Sequence, residues 1–132
     1  MRVLLAVVTA VMTMSVSGLE QAGRQRTPQT FACDPNHLTS YTGVVTRYTR
    51  QVGSTTLRIR TDEDTTETVT LKHPGTDDPS ALFRYQTEPF TPAHWARIER
   101  SKGVLLPNTR AVAWVCDDGQ VMVDWGVRAD AR

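Results

Sequence analysis

The 132-residue chain lacks most of what marks an enzyme by sequence alone. Its three histidines, His37, His73 and His94, are scattered, so none forms the two-on-one-helix-face pair of a zinc protease. No nucleophile elbow surrounds a Ser or Cys. Two cysteines with no second pair nearby, and no His at finger spacing, exclude a zinc finger. No cofactor motif is present, and no catalytic or metal-ligating residue is assigned. Aromatic residues make up only 7% of the chain, and no Asn-x-Ser/Thr acceptor occurs. Charge of one sign is missing too: 15 Lys and Arg face 14 Asp and Glu. That balance argues against bulk nucleic-acid affinity, which needs many basic side chains to release counterions from phosphates. Any recognition of an anion has to come from a local patch.

Apolar residues gather at one place, Val3 to Met14, behind Met1-Arg2 and ahead of Val16-Ser17-Gly18. A positive start, an apolar run and a small-residue site in that order is the layout of a cleaved export signal. Thr9 and Thr13 interrupt the run and Glu20, Gln21 and Arg24 follow it, leaving it short of the ~20 residues a membrane span requires. No Cys near the cleavage region offers a lipid attachment point. The sequence therefore predicts a signal peptide over 1–18, a mature chain with no membrane span, and a periplasmic or secreted location. Cleavage removes Arg2 and no acid, which leaves the two signs of charge balanced. In an oxidising compartment an even cysteine count implies pairing, so Cys33 and Cys116 are expected to form a disulfide.

Residues 19–40 begin polar and aperiodic, which reads as a flexible lead-in tied down by that bridge. From Tyr41 the texture changes to short runs of Thr, Val, Ile and Tyr bounded by turn residues, the pattern of strands. The first runs from Thr42 to Gln51 and turns at Gly53-Ser54, with Gly at the first central position. The second, Thr55 to Thr61, alternates Leu57 and Ile59 against Arg58 and Arg60. After the polar tip Asp62-Glu63-Asp64, the third, Thr66 to Lys72, alternates Val69 and Leu71 against Thr68, Thr70 and Lys72. Asp78-Pro79 starts a short turn through Leu82-Phe83. A helix is then expected, with Thr91 as N-cap, Pro92 in the first turn and a Phe90/Trp95 staple. Trp95 and Ile98 form its apolar face and Arg97, Glu99 and Arg100 its polar face, with Gly103 as the stop. Ala111 to Cys116 is apolar at both parities, hence buried on both sides. Asp118-Gly119 signals a type I′ hairpin into a last strand that alternates Val121, Val123, Trp125 and Val127 against Met122, Asp124 and Arg128.

Three strands, a helix and a hairpin follow the order of the OB-fold. The Gly43-Val44-Val45 opening, the long second and third strands and the Leu-Leu-Pro-Asn-Thr-Arg-Ala-Val approach to the fourth resemble small bacterial OB-type domains over roughly Tyr41 to Val127. The resemblance implies a mainly β, five-stranded Greek-key barrel over 41–128, with one helix between strands three and four and a tail at 129–132. It also implies that strands two and three carry a ligand, and it supplies no functional residue. A small β-sandwich or an α+β meander is the structural alternative.

Opposite the core-facing Leu57, Ile59, Val69 and Leu71 stand Arg58, Arg60, Thr68, Thr70 and Lys72, joined by Arg47 if Val44, Thr46 and Tyr48 point inward. Guanidinium groups beside hydroxyls suit capture of carboxylate, sulfate or phosphate. A merely solvated sheet face has the same composition, and both readings are open. Strands two and three carry no aromatic to stack bases, which argues against single-stranded nucleic acid. The leading expectation is an exported, non-enzymatic module that binds an anionic ligand, glycan or envelope partner protein through Arg47, Arg58, Arg60, Thr68, Thr70 and Lys72. Two alternatives are kept. One is a small metal-dependent hydrolase or nuclease of the staphylococcal type using Asp62, Asp64 and Glu67. The other is a structural subunit of an envelope assembly.

Overall fold

A computed structural model describes residues 31–126 of the chain. The expected signal peptide 1–18, the lead-in up to residue 30, Val127, Arg128 and the tail lie outside the described residues. The strands are β1 Leu38–Gln51, β2 Gly53–Thr61, β3 Thr66–His73, β4 Phe83–Tyr85, β5 Glu88–Pro89, β6 Glu99–Ser101, β7 Val104–Leu105, β8 Arg110–Cys116 and β9 Val121–Trp125. The single α-helix among the described residues, α1, is Trp95–Ile98.

The fold is mainly β, as expected, but it is neither five-stranded nor a closed barrel. One mixed sheet of seven strands runs in the order β3-β2-β1-β8-β9-β4-β5, and β6-β7 forms a separate two-stranded ribbon. β1 is paired on both edges, with β2 and with β8, and β8 continues to β9 by a hairpin. The sheet curls until Cα atoms of β3 and β9 approach within 8 Å without forming a ladder. The edge of β9 that would close a barrel is taken by β4, which pairs with it in parallel through Phe83↔Val123, Arg84↔Asp124 and Tyr85↔Trp125. At three and two residues, β4 and β5 are too short to show a period in the sequence.

The curled sheet encloses one core. Leu57 and Ile59 of β2, Val69 and Leu71 of β3, Ala111 and Ala113 of β8, and Val123 and Trp125 of β9 meet Phe83 and Ile98 there. A second, smaller cluster lies on the other face of β8-β9, where Phe31 covers Val112, Trp114 and Met122. The Cys33–Cys116 disulfide, closing a span of 83 residues, fastens this strap to β8. β8 is thus buried on both faces, as its composition indicated. So is β9, and Asp124, expected on the polar side, is fully buried.

Several local expectations are corrected by the structure. The helix expected through Gly103 ends at Ile98, and Glu99 enters β6 because its carboxylate is drawn inward to Arg50 and Tyr48. Gly103 turns the β6-β7 ribbon at φ 79° instead of capping a helix. The Phe90/Trp95 pair does pack, ring on ring at 5.0 Å, and the Thr91 N–H donates to His94 Nδ1 in place of an acidic capping partner. The β1-β2 loop is Val52-Gly53, closed by Gln51↔Ser54, so glycine sits at the second central position with φ 90°, as in a type II turn. The β8-β9 connection is a three-residue loop, Asp117-Asp118-Gly119, with Cys116 N–H bonded to Gln120 O and only Gly119 at positive φ.

Candidate functional site

A β-bulge decides which side chains β1 presents to each face. Val45 pairs with Ile59 and Arg47 with Arg58, which leaves Thr46 as an extra residue between them. Val45 is buried, Thr46 and Arg47 both point outward, and Tyr48 and Arg50 return to the inner side. Arg47 therefore joins the outer face, but through the bulge and not through an unbroken alternation. The expected inward Val44 and Thr46 are half-buried and exposed respectively.

Beyond the bulge, the registers of β1-β2 and β2-β3 align three rows across the outer face. They are Arg47-Arg58-Thr68, Thr49-Thr56-Thr70 and Gln51-Ser54-Lys72. Arg60 stands one row further along, opposite Thr66, and reaches Asp64 at 3.8 Å. Arg47, Arg58, Arg60, Thr68, Thr70 and Lys72 are all exposed, so the structure brings the six candidate residues onto one surface. All nine side chains of the three rows carry a hydrogen-bond donor, and none is a carboxylate or an aromatic ring. Among the described residues, Arg47, Arg58 and Lys72 have no ion-pair partner. Like charges directly opposite on neighbouring strands repel, so the Arg47/Arg58 pair is held at a cost to the sheet.

The acidic tip is differently occupied. Asp62 receives the Arg110 guanidinium at 2.6 Å, with both side chains 20% exposed, and Thr61 and Thr65 close the turn through their hydroxyls at 2.7 Å. Among the described residues no group of three or more His, Cys, Asp or Glu is placed to hold a metal ion. Each histidine is engaged by its own neighbourhood: His37 with Asp117, buried His73 with Thr55 and the Thr76 carbonyl, His94 stacked on Tyr85.

On the inner side of β1 lies a polar cluster that composition and alternation did not single out. Arg50 donates to Glu99 through Nε at 3.0 Å and Nη2 at 2.8 Å, and through Nη1 to the Asp77 carbonyl at 3.0 Å. Tyr48 donates its hydroxyl to Glu99 Oε2 at 2.6 Å, and the guanidinium lies 4.4 Å from the Trp95 ring centre. Burial first, then the hydrogen bond and charge of Glu99, push the Tyr48 hydroxyl well above its ordinary value. For Arg50, burial works against the charged form, but Glu99, Tyr48 and Asp77 outweigh it and the guanidinium is held more firmly protonated. Arg50, Asp77, Trp95 and Glu99, with Asp78, Ser101 and Lys102, line a groove of about 440 Å³. Lys102 closes one side on Asp77 at 2.5 Å and holds that carboxyl below its usual range. Arg50 is paired with Glu99 and Lys102 with Asp77, so the groove has a structural role first. Its one sequence signal was the shared parity of Tyr48 and Arg50, which left their partner Glu99, 49 residues from Arg50, unspecified.

No protein-family model, curated protein or solved structure matches this chain.

Proposed function

We propose that the protein is an exported, non-enzymatic binding module whose outer β1-β2-β3 face captures an anionic ligand. One observation carries the reading: Arg47 and Arg58 stand in register on adjacent strands, exposed and without an acid between them. In a chain whose charges otherwise balance, an anion seated between the two guanidinium groups would relieve their repulsion and accept paired hydrogen bonds from each. Thr68 extends the same row with a hydroxyl, and Lys72 adds a further cation.

The disulfide supports a location outside the reducing cytoplasm, periplasmic or secreted, with residues 1–18 removed on export. Among the described residues no helix is long and apolar enough to cross a membrane. The hydrolase alternative draws no support from the geometry, since Asp62 is committed to Arg110.

The test is a titration of the isotopically labelled chain with sulfate, citrate and dextran sulfate, followed by amide chemical shifts. Perturbations should centre on Arg47, Arg58 and Thr68 and vanish in Arg47→Glu/Arg58→Glu. Shifts that map elsewhere, or none at all, would remove the proposal.

A further inference from the structure

Resting on that anion-binding reading, we infer that the natural ligand is a linear acidic polysaccharide lying along the sheet face, and not a small anion. Small-molecule sites are concave and bury most of the ligand, whereas this surface is the open outer side of three adjacent strands. An isolated anion would meet Arg47 and Arg58 and leave the other two rows unused.

The cations are also spread out. Lys72 pairs with Ser54, four residues along β2 from Arg58, which places it roughly 14 Å further along the strands. A chain bearing repeated anionic groups spans that interval and converts the second contact into an intramolecular one, with a gain in overall affinity. Between the two ends lies the row Thr49-Thr56-Thr70, and Ser54 and Gln51 stand beside Lys72, so the intervening surface is hydroxyl and amide without charge.

Chemistry then selects among polyanions. A protein partner is held by buried apolar and aromatic anchors at the centre of its interface, and none of the nine row positions carries one. Single-stranded nucleic acid is held by base stacking on aromatic rings, and the same rows offer none. A polysaccharide with carboxylate or sulfate substituents presents acceptors along its whole length: charged groups for the arginines and Lys72, ring and hydroxyl oxygens for the threonines. It needs only the donors that this face supplies.

The test uses the disulfide-bonded chain and oligogalacturonates of graded length, with galacturonic acid as monomer, dextran as uncharged control, and polyglutamate and oligo-dT as competing polyanions. All substituted positions are exposed, and circular dichroism and melting confirm that each variant folds. Affinity should rise with oligomer length, by roughly tenfold or more over the monomer once the chain reaches Lys72. Lys72→Ala should remove that gain with length, while Arg47→Ala/Arg58→Ala should abolish binding of monomer and oligomer alike. If monomer and oligomer bind equally per anionic group, the polymer inference fails while the anion-binding face stands. If polyglutamate or oligo-dT binds more tightly at matched charge, the polysaccharide is the wrong occupant. If no anion binds at all, both readings fall together.

Discussion

Thr87 and Asp124 are joined across the sheet edge, where the Thr87 N–H donates to both carboxylate oxygens of Asp124, at 3.2 and 3.0 Å. Thr87 and its neighbour Gln86 form the β4-β5 turn with φ of 70° and 47°, a conformation that side chains, and β-branched ones above all, rarely accept. Such strain persists only where surrounding structure over-determines it. Here the buried carboxylate is the clamp.

Burial raises the Asp124 pKa, against the opposing pull of the Thr87 N–H and the Arg84 charge. A carboxyl with a raised folded pKa binds its proton more tightly in the folded than in the unfolded chain. Its contribution to stability therefore grows as pH falls from the raised value towards the ordinary one near 3.9, and diminishes as pH rises through that window. Asp124→Asn keeps an acceptor for Thr87 and removes the charge. Urea titrations of both proteins from about pH 7 down to about pH 4 should show wild type gaining on the variant as acid is added. A flat difference would show that the Asp124 carboxyl is not shifted.

Glu99 and Arg50 make a different kind of commitment, because their side chains are only 5% and 9% exposed. Removing one member strands the other as an unpaired buried charge. Glu99→Gln should cost about 3–5 kcal/mol by urea unfolding, and the double change Arg50→Met/Glu99→Leu should recover most of that loss. Equal stability of Glu99→Gln and wild type would mean the pair is solvated in solution.

At Gly43 the constraint is space and not backbone freedom. A Cβ there would lie 2.0 Å from the Arg60 carbonyl oxygen and 2.8 Å from the Thr61 Cα, both main-chain atoms. β1 is paired with Thr61 on one side and Ala111 on the other at this residue, so neither neighbour can yield. Gly43→Ala should destabilise by about 3 kcal/mol or more, read as a lowered urea midpoint.

The disulfide acts where the Phe31 strap meets β8. For an 83-residue span the chain-entropy model gives ~4.5 kcal/mol as an upper figure. Reduction, or Cys33→Ala/Cys116→Ala, should lower the unfolding midpoint. Uncovering Trp114 should also shift tryptophan emission to longer wavelength. Unchanged emission on reduction would mean that Phe31 stays in place without the bridge.

Legibility followed the length and regularity of each element. β2 and β3 carry an unbroken period of two, so Leu57, Ile59, Val69 and Leu71 could be assigned to the core, and Arg58, Arg60, Thr68, Thr70 and Lys72 to the opposite face, without coordinates. Glu99 could not, since in a window of Trp95 to Arg100 its polarity fits a helix surface and only the distant Arg50 draws it inward. The short β4, and with it the open form of the sheet, was equally hidden. Asp124 shows the same limit: its alternation was right, but the Phe31 cluster beside Met122 covers that face of β9 and the Thr87 N–H holds the carboxylate there.

The bulge at Thr46 yields the sharpest test, because it predicts tolerance where disruption is the usual outcome. A one-residue shift normally flips every later side chain to the opposite face of a sheet. Thr46, however, is the unpaired residue between Val45↔Ile59 and Arg47↔Arg58. Deleting it restores simple alternation: Val45 in, Arg47 out, Tyr48 in, Arg50 placed to meet Glu99. The deletion should cost only about 1–2 kcal/mol and keep both the Arg47/Arg58 row and the inner cluster. Deleting Thr49 has the opposite consequence. Arg50 would turn outward and leave Glu99 buried without its cation, at a cost of about 3–5 kcal/mol, much of the net stability of a small domain. Circular dichroism and urea unfolding of the two single-residue deletions separate them. If the Thr46 deletion unfolds the protein and the Thr49 deletion does not, the face assignments of β1 are wrong, and the anion site built on Arg47 goes with them.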